Sequence, residues 1–129
     1  MMEYKELANG LNTFAYNLHK FDITEFQITQ EVANRSIINR LYYALYNRLI
    51  DELPSLQSSK TPDKHQQIED RLKRHLDNNT CKYTYNHFRD LKSLRVWADY
   101  KPTIEAPNAN FNILLAKTYK ILQYQKILP

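Results

Sequence analysis

A single glycine, Gly10, occurs in this chain of 129 residues. Glycine supplies the positive-φ conformations that tight hairpins need, and it lets backbone approach phosphate closely. One glycine therefore excludes Gly-rich phosphate loops and dinucleotide-binding turns, and it disfavours a sheet built from tight hairpins. The composition predicts an all-α fold. The length predicts one domain, residues 1–129, with a core of its own.

Apolar residues recur at three- and four-residue steps in five segments, which predicts five amphipathic helices. The expected helices span residues 3–20, 24 or 29 to 53, 62 to 78–80, 83–100 and 111–122. Thr24 or Thr29 caps the second helix, Pro54 ends it, and Pro62 opens the third. The third helix is expected to end at 78–80, and a linker containing Pro102 and Pro107 precedes the last. Short connections favour antiparallel neighbours, hence an up-and-down bundle of four to five helices.

Charge and cysteine content limit the classes of function. Eighteen Lys and Arg against fourteen Asp and Glu give a net charge of +4, a mild bias towards polyanionic partners. The lone Cys81 cannot form an intrachain disulfide, and we find neither a signal-peptide pattern nor a membrane-spanning apolar run. His19, His75 and His87 show no metal-ligand spacing. We expect a cytoplasmic protein with no metal, no cofactor and no membrane partner.

Arg95 and Asp99 lie four residues apart in the fourth predicted helix, so their side chains share one face. Phe88, Leu91, Arg95 and Ala98 fall on its apolar stripe, which predicts that the guanidinium is largely buried. A carboxylate near a helix C-terminus is disfavoured by the helix dipole and needs a cation. The spacing therefore predicts a buried ion pair, and removing Asp99 is expected to cost roughly 3 to 5 kcal/mol.

A polar seam runs along the second predicted helix, formed by Ser36, Arg40, Tyr43 and Asn47. At about 100 degrees per residue these side chains fall in a narrow arc, beside a broad apolar arc that includes Ile37, Leu41 and Leu45. One interpretation is a solvated face. The other is a cleft or a subunit contact, because exposed helix faces are normally filled with Lys and Glu rather than short polar and aromatic side chains.

Two segments resemble motifs of the HEPN family, the small helical domains of prokaryotic toxin-antitoxin and antiphage systems. Residues 40–47, RLYYALYN, resemble its arginine-x-tyrosine-tyrosine-alanine segment, and residues 95–100, RVWADY, resemble its arginine-x-x-alanine-aspartate-tyrosine segment. Residues 63–66, DKHQ, lie where many members of this subgroup carry a lysine-serine-histidine stretch. The resemblance spans roughly residues 30–125 and implies a helical bundle that usually dimerises.

The resemblance also implies a metal-independent endoribonuclease whose arginine is followed, after four to six residues, by a histidine. Arg40 matches the arginine, but Asn47 stands at the histidine position. Asparagine has no titratable proton near neutral pH and cannot act as general acid or base. His65 is the candidate to supply the missing imidazole, if it packs against Arg40 and Tyr43. The alternative is a histidine that only closes the first turn of its helix.

These residues leave two expectations for function. The first is a HEPN-like protein that binds RNA or a phosphate-bearing ligand through Arg40, Tyr43, Arg95 and neighbouring Asp99 and Tyr100. Its ribonuclease centre of Arg40, Asn47 and His65 would be weakened, and Asn47→His would raise cleavage. The second is a non-catalytic module that forms a homodimer on the second helix or binds an antitoxin or other defence-system protein.

Overall fold

The computed structural model describes residues 4–20, 30–57, 63–100 and 110–129. Side chains of residues 4, 5, 7, 18, 30, 31, 99 and 100 also lie outside the description. The described residues form α1 (Tyr4–Lys20), α2 (Gln30–Asp51), a 3-10 helix (Pro54–Leu56), α3 (Lys64–Lys73), α4 (Asn79–Tyr100) and α5 (Phe111–Leu122). The chain is an all-helical bundle, as predicted. The capping positions Thr24 and Thr29, and the prolines 62, 102 and 107, lie outside the described residues.

Helix α2 is the central helix of the bundle. It packs against α1, α4, α5 and α3, and its apolar side chains are therefore covered on several sides. Ile37, Leu41 and Leu45 are fully buried, and each contributes roughly 1.5 to 3 kcal/mol of transfer free energy. The broad apolar arc of α2 is thus covered by this chain's own helices.

Most neighbouring helices are antiparallel. Phe14 of α1 lies against Arg40, while Ala8 further back in α1 clusters with Ala44 further along α2. Helix α5 is antiparallel to α1 and therefore advances in the same direction as α2. Among consecutive helices the exception is the pair α2 and α3, because α3 also advances in the same direction as α2. His65 near its start contacts Tyr42, and its last turns lie beside the end of α2. The 12 residues 52–63 between α2 and α3 are enough to place the start of α3 beside the middle of α2. The sequence prediction had assumed a short connection and therefore an antiparallel pair.

Helix boundaries between α3 and α4 differ from the sequence prediction. Asp63 caps α3, accepting a hydrogen bond from the Gln66 backbone N–H, in a left-handed conformation with φ of 46°. Helix α3 ends at Lys73, before residues 78–80, where the sequence places its end. Asn78 Oδ1 accepts a hydrogen bond from the Cys81 N–H at 3.1 Å. It therefore helps to begin α4 at Asn79, where we had expected α3 to end.

Arg35 of α2 forms hydrogen bonds with backbone carbonyl groups near the C-terminal end of α4. Its Nη1 donates to the carbonyl oxygens of Trp97 at 2.9 Å and Ala98 at 3.0 Å. Its guanidinium carbon also lies 4.0 Å from the centroid of the Trp97 ring. A cation at a helix C-terminus offsets the negative end of the dipole. The sequence had indicated Arg95 as the cation for Asp99 at this end of the helix, and it had not indicated Arg35.

A buried ion pair anchors the C-terminal segment of the chain. The Arg48 guanidinium bonds the Glu52 carboxylate, and its Nη2 donates to the Tyr124 carbonyl at 2.8 Å. The carboxylate accepts hydrogen bonds from the backbone N–H groups of Ile127 and Leu128, each at 2.8 Å. This network holds the segment after α5 against the end of α2.

Candidate functional site

An aromatic cluster surrounds His65, near the start of α3. Its ring stacks against Tyr42, with centroids 5.5 Å apart, and against Tyr46, with centroids 4.5 Å apart. Tyr43 presents its edge to the imidazole at 6.3 Å. The three tyrosines belong to consecutive turns of α2, and Asp63 fixes the first turn of α3 so that His65 meets them. We call His65, Tyr42, Tyr43, Tyr46 and Arg95 the His65 centre.

Tyr42 and His65 share a short hydrogen bond. The Tyr42 hydroxyl oxygen lies 2.5 Å from Nδ1 of His65. Burial raises the pKa of Tyr42 far above its usual value, so this hydroxyl keeps its proton. A phenol is a stronger donor than a neutral imidazole, so Tyr42 donates and Nδ1 accepts. The remaining proton of the imidazole is then on Nε2.

His65 is neutral at physiological pH. Burial, and next the nearby Arg95 guanidinium, lower its pKa below the usual 6.5. Asp63 acts in the opposite direction, and Lys92 adds a smaller lowering effect. Burial and like charge both disfavour imidazolium. The centre therefore presents a neutral histidine with one N–H donor.

Arg95 approaches the same tyrosines from α4. Its guanidinium carbon lies 4.8 Å from the Tyr42 ring centroid and 6.0 Å from that of Tyr43. The side chain is only partly buried, against the expectation of substantial burial. Its predicted ion pair with Asp99 stays a prediction, because the side chains of Asp99 and Tyr100 lie outside the described residues.

Two further cations of α4 lie beside this centre. Lys92 Nζ is 3.0 Å from a carboxylate oxygen of Glu69, and Arg89 Nε is 3.6 Å from the other oxygen. Glu69 thus faces two cations. With Arg95 one turn further along α4, this helix carries an excess of positive charge on the side that meets α3.

The structure separates the other residues of the predicted catalytic set. Arg40 is exposed, and its guanidinium carbon lies 5.0 Å from the Phe14 ring centroid on α1. Asn47 is buried, and its Nδ2 donates to the Tyr43 carbonyl at 2.7 Å, within α2. Tyr43 does meet His65 and Arg95. The polar seam therefore divides, with Arg40 facing α1 and Tyr43 facing α3 and α4.

Tyr42 and Tyr46 are the residues of the centre that we had not singled out. Both belong to the RLYYALYN segment that carries the resemblance, but helical spacing placed them among core aromatics. The indication available in the sequence was their spacing of four residues, which stacks two rings on one face. The sequence of α2 alone did not indicate which of its faces α3 would cover.

No group of three metal-ligating side chains occurs among the described residues. None of the helices in that part of the chain is long and apolar enough to cross a membrane. Comparison of the chain with protein-family models, with curated proteins and with solved structures finds no match. Function is therefore inferred from the His65 centre and from the sequence motifs.

Proposed function

We propose that this chain is a HEPN-like protein of a prokaryotic toxin-antitoxin or antiphage defence system that binds RNA or a phosphate-bearing ligand. The observation that carries the proposal is the convergence of His65, Arg95 and three tyrosines. Both segments that resemble the family, and His65 from the DKHQ stretch between them, contribute to this one cluster. Convergence of segments separated by 20 to 50 residues in the chain is what a shared site requires.

The cluster offers the groups that RNA binding needs. Guanidinium groups bind phosphate through paired N–H donors, and Lys92 adds a second cation nearby. The neutral His65 contributes its Nε2–H as a donor. Tyr43 and Tyr46 are partly exposed, and aromatic rings at such positions can stack on unpaired bases. Binding through these groups needs no metal and no cofactor.

The same geometry supports weak cleavage rather than efficient cleavage. A general base must offer an unprotonated nitrogen to the 2'-hydroxyl of RNA, but Nδ1 of His65 already accepts the Tyr42 hydroxyl proton. Asn47 has no titratable group, and its amide is hydrogen-bonded within α2. Arg40 lies against Phe14. The proposed ribonuclease centre is therefore weakened, with proton transfer as its missing step.

Fluorescence anisotropy with a labelled single-stranded RNA tests the binding. We expect Arg95→Met, which keeps the aliphatic stem, to weaken binding at least tenfold and to reduce its salt dependence. The exposed Arg74→Ala, one residue beyond α3, is the matched loss of one charge and should change affinity less than twofold. Equal losses in both variants would indicate nonspecific charge attraction and contradict a site at Arg95. A larger loss in Arg40→Ala would move the site to the α1 side.

A second candidate function is a non-catalytic module that forms a homodimer or binds an antitoxin or other partner protein. Two apolar side chains favour it, since Phe14 and Val32 are about half exposed. Sedimentation equilibrium of the wild type and of Phe14→Ser tests the homodimer. A dimer weakened by this substitution would support the second function. A concentration-independent monomer would leave partner binding to be tested by mixing with a candidate antitoxin.

A further inference from the structure

A cavity of about 480 Å³ lies between α1 and α5, two helices that contribute nothing to the His65 centre. On each helix the lining residues recur at three-, four- and seven-residue steps, so each set occupies one face. The wall is mostly apolar and includes Tyr16, Leu115, Ala116 and Tyr119. Ligand sites typically have volumes of roughly 300 to 1,000 Å³, so this cavity has room for a small organic molecule.

Two aromatic rings on the wall are largely exposed. Tyr16 is 45% exposed on α1 and Tyr119 is 59% exposed on α5. Such rings can stack on planar ligands, and they do so with any base because every base has a π-face. Ala116 lies between the larger side chains of α5 and leaves the space open. The wall therefore suits a flat heteroaromatic group.

One end of the cavity is polar and positive. His19 Nε2 lies 3.1 Å from Asn112 Oδ1, and Lys20 Nζ lies 4.5 Å from the Tyr16 ring centroid. Helix α5 begins here at Phe111, so the positive end of its dipole faces the same region. A cation and a helix N-terminus together favour an anionic group at this end.

Asn12 lies on the cavity wall towards the opposite end, because α1 and α5 are antiparallel. It is only 8% exposed, and its Oδ1 is buried with no hydrogen-bond partner in the described part of the chain. A buried amide atom without a partner is destabilising, and an amide turns easily about its terminal torsion. A ligand that carries a polar edge would supply the missing partner.

We propose that the α1–α5 cavity binds a nucleotide. The base stacks on Tyr16 and Tyr119, its polar edge pairs with the Asn12 amide, and its phosphate lies at the His19 and Lys20 end. A free mononucleotide and one nucleotide unit of an RNA chain offer the same chemistry. The site uses different residues and different helices from the His65 centre, so it does not depend on the function proposed above.

Isothermal titration calorimetry of the full chain tests this with AMP, adenosine, inorganic phosphate and a single-stranded hexa-adenylate RNA. Ala116→Trp fills the cavity and is expected to weaken AMP binding at least tenfold. Ser93→Trp, a similar enlargement of a small exposed side chain on α4, is the matched control and should change it less than twofold. Lys20→Gln should weaken AMP about fivefold and leave adenosine unchanged. Tyr119→Ala, at an exposed position, should also weaken AMP binding, and it replaces Ala116→Trp as the test if that variant fails to fold.

The RNA arm identifies the source of the nucleotide. Tighter binding of hexa-adenylate than of AMP, lost in Ala116→Trp, indicates an RNA unit, whereas AMP bound more tightly than RNA indicates a free nucleotide. The proposal is overturned if neither ligand responds to the cavity variants, or if phosphate alone binds as tightly as AMP. The exposed Arg74→Ala, outside both sites, should leave AMP binding unchanged. The cavity shares no residue with the His65 centre, so loss of AMP binding in Ala116→Trp and loss of RNA binding in Arg95→Met are separate results, and either site can fail without the other.

Discussion

Arg48 and Arg95 each precede an acidic residue by four positions on a helix, yet they lie in very different environments. Arg48 is 2% exposed, and its partners are the Glu52 carboxylate and backbone carbonyls of the C-terminal segment. Arg95 is partly exposed and lies over the faces of Tyr42 and Tyr43. The first arginine joins two parts of the fold, and the second borders an aromatic cluster that solvent reaches. Equal spacing in sequence therefore does not imply an equal role.

The comparison predicts its largest effect at Arg48. Replacing Arg48 with alanine leaves the Glu52 carboxylate buried without its cation, so the free energy of unfolding should fall by about 3 to 5 kcal/mol. Urea denaturation followed by circular dichroism measures this. Arg74→Ala, at an exposed position, should cost less than about 0.5 kcal/mol.

A local measurement separates this effect from general destabilisation. The Cys81 thiol donates to the Ile127 carbonyl at 3.0 Å, beneath the segment that Arg48 and Glu52 hold. Release of that segment should therefore speed thiol labelling of Cys81 in Arg48→Ala under native conditions. Unchanged labelling together with a loss below about 1 kcal/mol would mean that the buried ion pair does not anchor the segment.

His87 is expected to give the next largest effect, and it extends the comparison to a buried histidine. Its Nε2 lies 2.7 Å from Thr118 Oγ1, which itself donates to the Leu114 carbonyl, so the imidazole must be the donor. Burial, with a smaller contribution from Lys117, lowers the pKa of His87 to about 4. Between pH 6.5 and 4 the unfolded chain binds the proton more readily, so stability falls as the pH falls through this window.

The expected contribution of His87 to this loss is about 2 kcal/mol between pH 7 and pH 5. His87→Leu removes the titration, and Thr118 keeps its bond to Leu114. The variant should therefore lose about 2 kcal/mol less than the wild type over the same range. His65 also has a lowered pKa, but it is present in both proteins and cancels in the difference. Parallel pH dependences of the two proteins would contradict a buried neutral His87.

Sequence patterns predicted the fold well and the site only in part. Periodicity located five helices because the amphipathic pattern is local, and the single glycine indicated their class. The backbone partner of Arg48 could not be predicted, since the Tyr124 carbonyl lies 76 residues away in the chain. The pairing of Tyr42 with His65 was missed for a similar reason. It depends on α3 running in the same direction as α2, which connection length alone did not indicate.

A smaller effect is expected at Tyr42, the fully buried tyrosine of the His65 centre. Tyr42→Phe removes the hydroxyl that donates to His65 Nδ1 and should cost about 1 kcal/mol. Loss of a hydrogen bond to the neutral imidazole should also move the pKa of His65 upward. Histidine NMR titration of the wild type, Tyr42→Phe and Arg95→Met measures this shift. A downward shift in Tyr42→Phe would mean that the hydroxyl accepts rather than donates.

The smallest effect is expected from Asn47→His, which would complete the arginine–histidine pattern of the family that this segment resembles. From the sequence alone, Asn47→His should raise metal-independent cleavage, because it returns a titratable group seven positions after Arg40. In the folded chain the Asn47 amide is directed to the Tyr43 carbonyl, and Arg40 lies against Phe14. In the folded chain an imidazole at position 47 would therefore have no arginine beside it. Cleavage needs the imidazole and the guanidinium at the same phosphate. We expect cleavage of single-stranded RNA in EDTA to rise less than tenfold in Asn47→His. A rise of a hundredfold or more, abolished by Arg40→Ala, would show that Arg40 leaves Phe14 when RNA binds and that the functional arginine is Arg40 rather than Arg95.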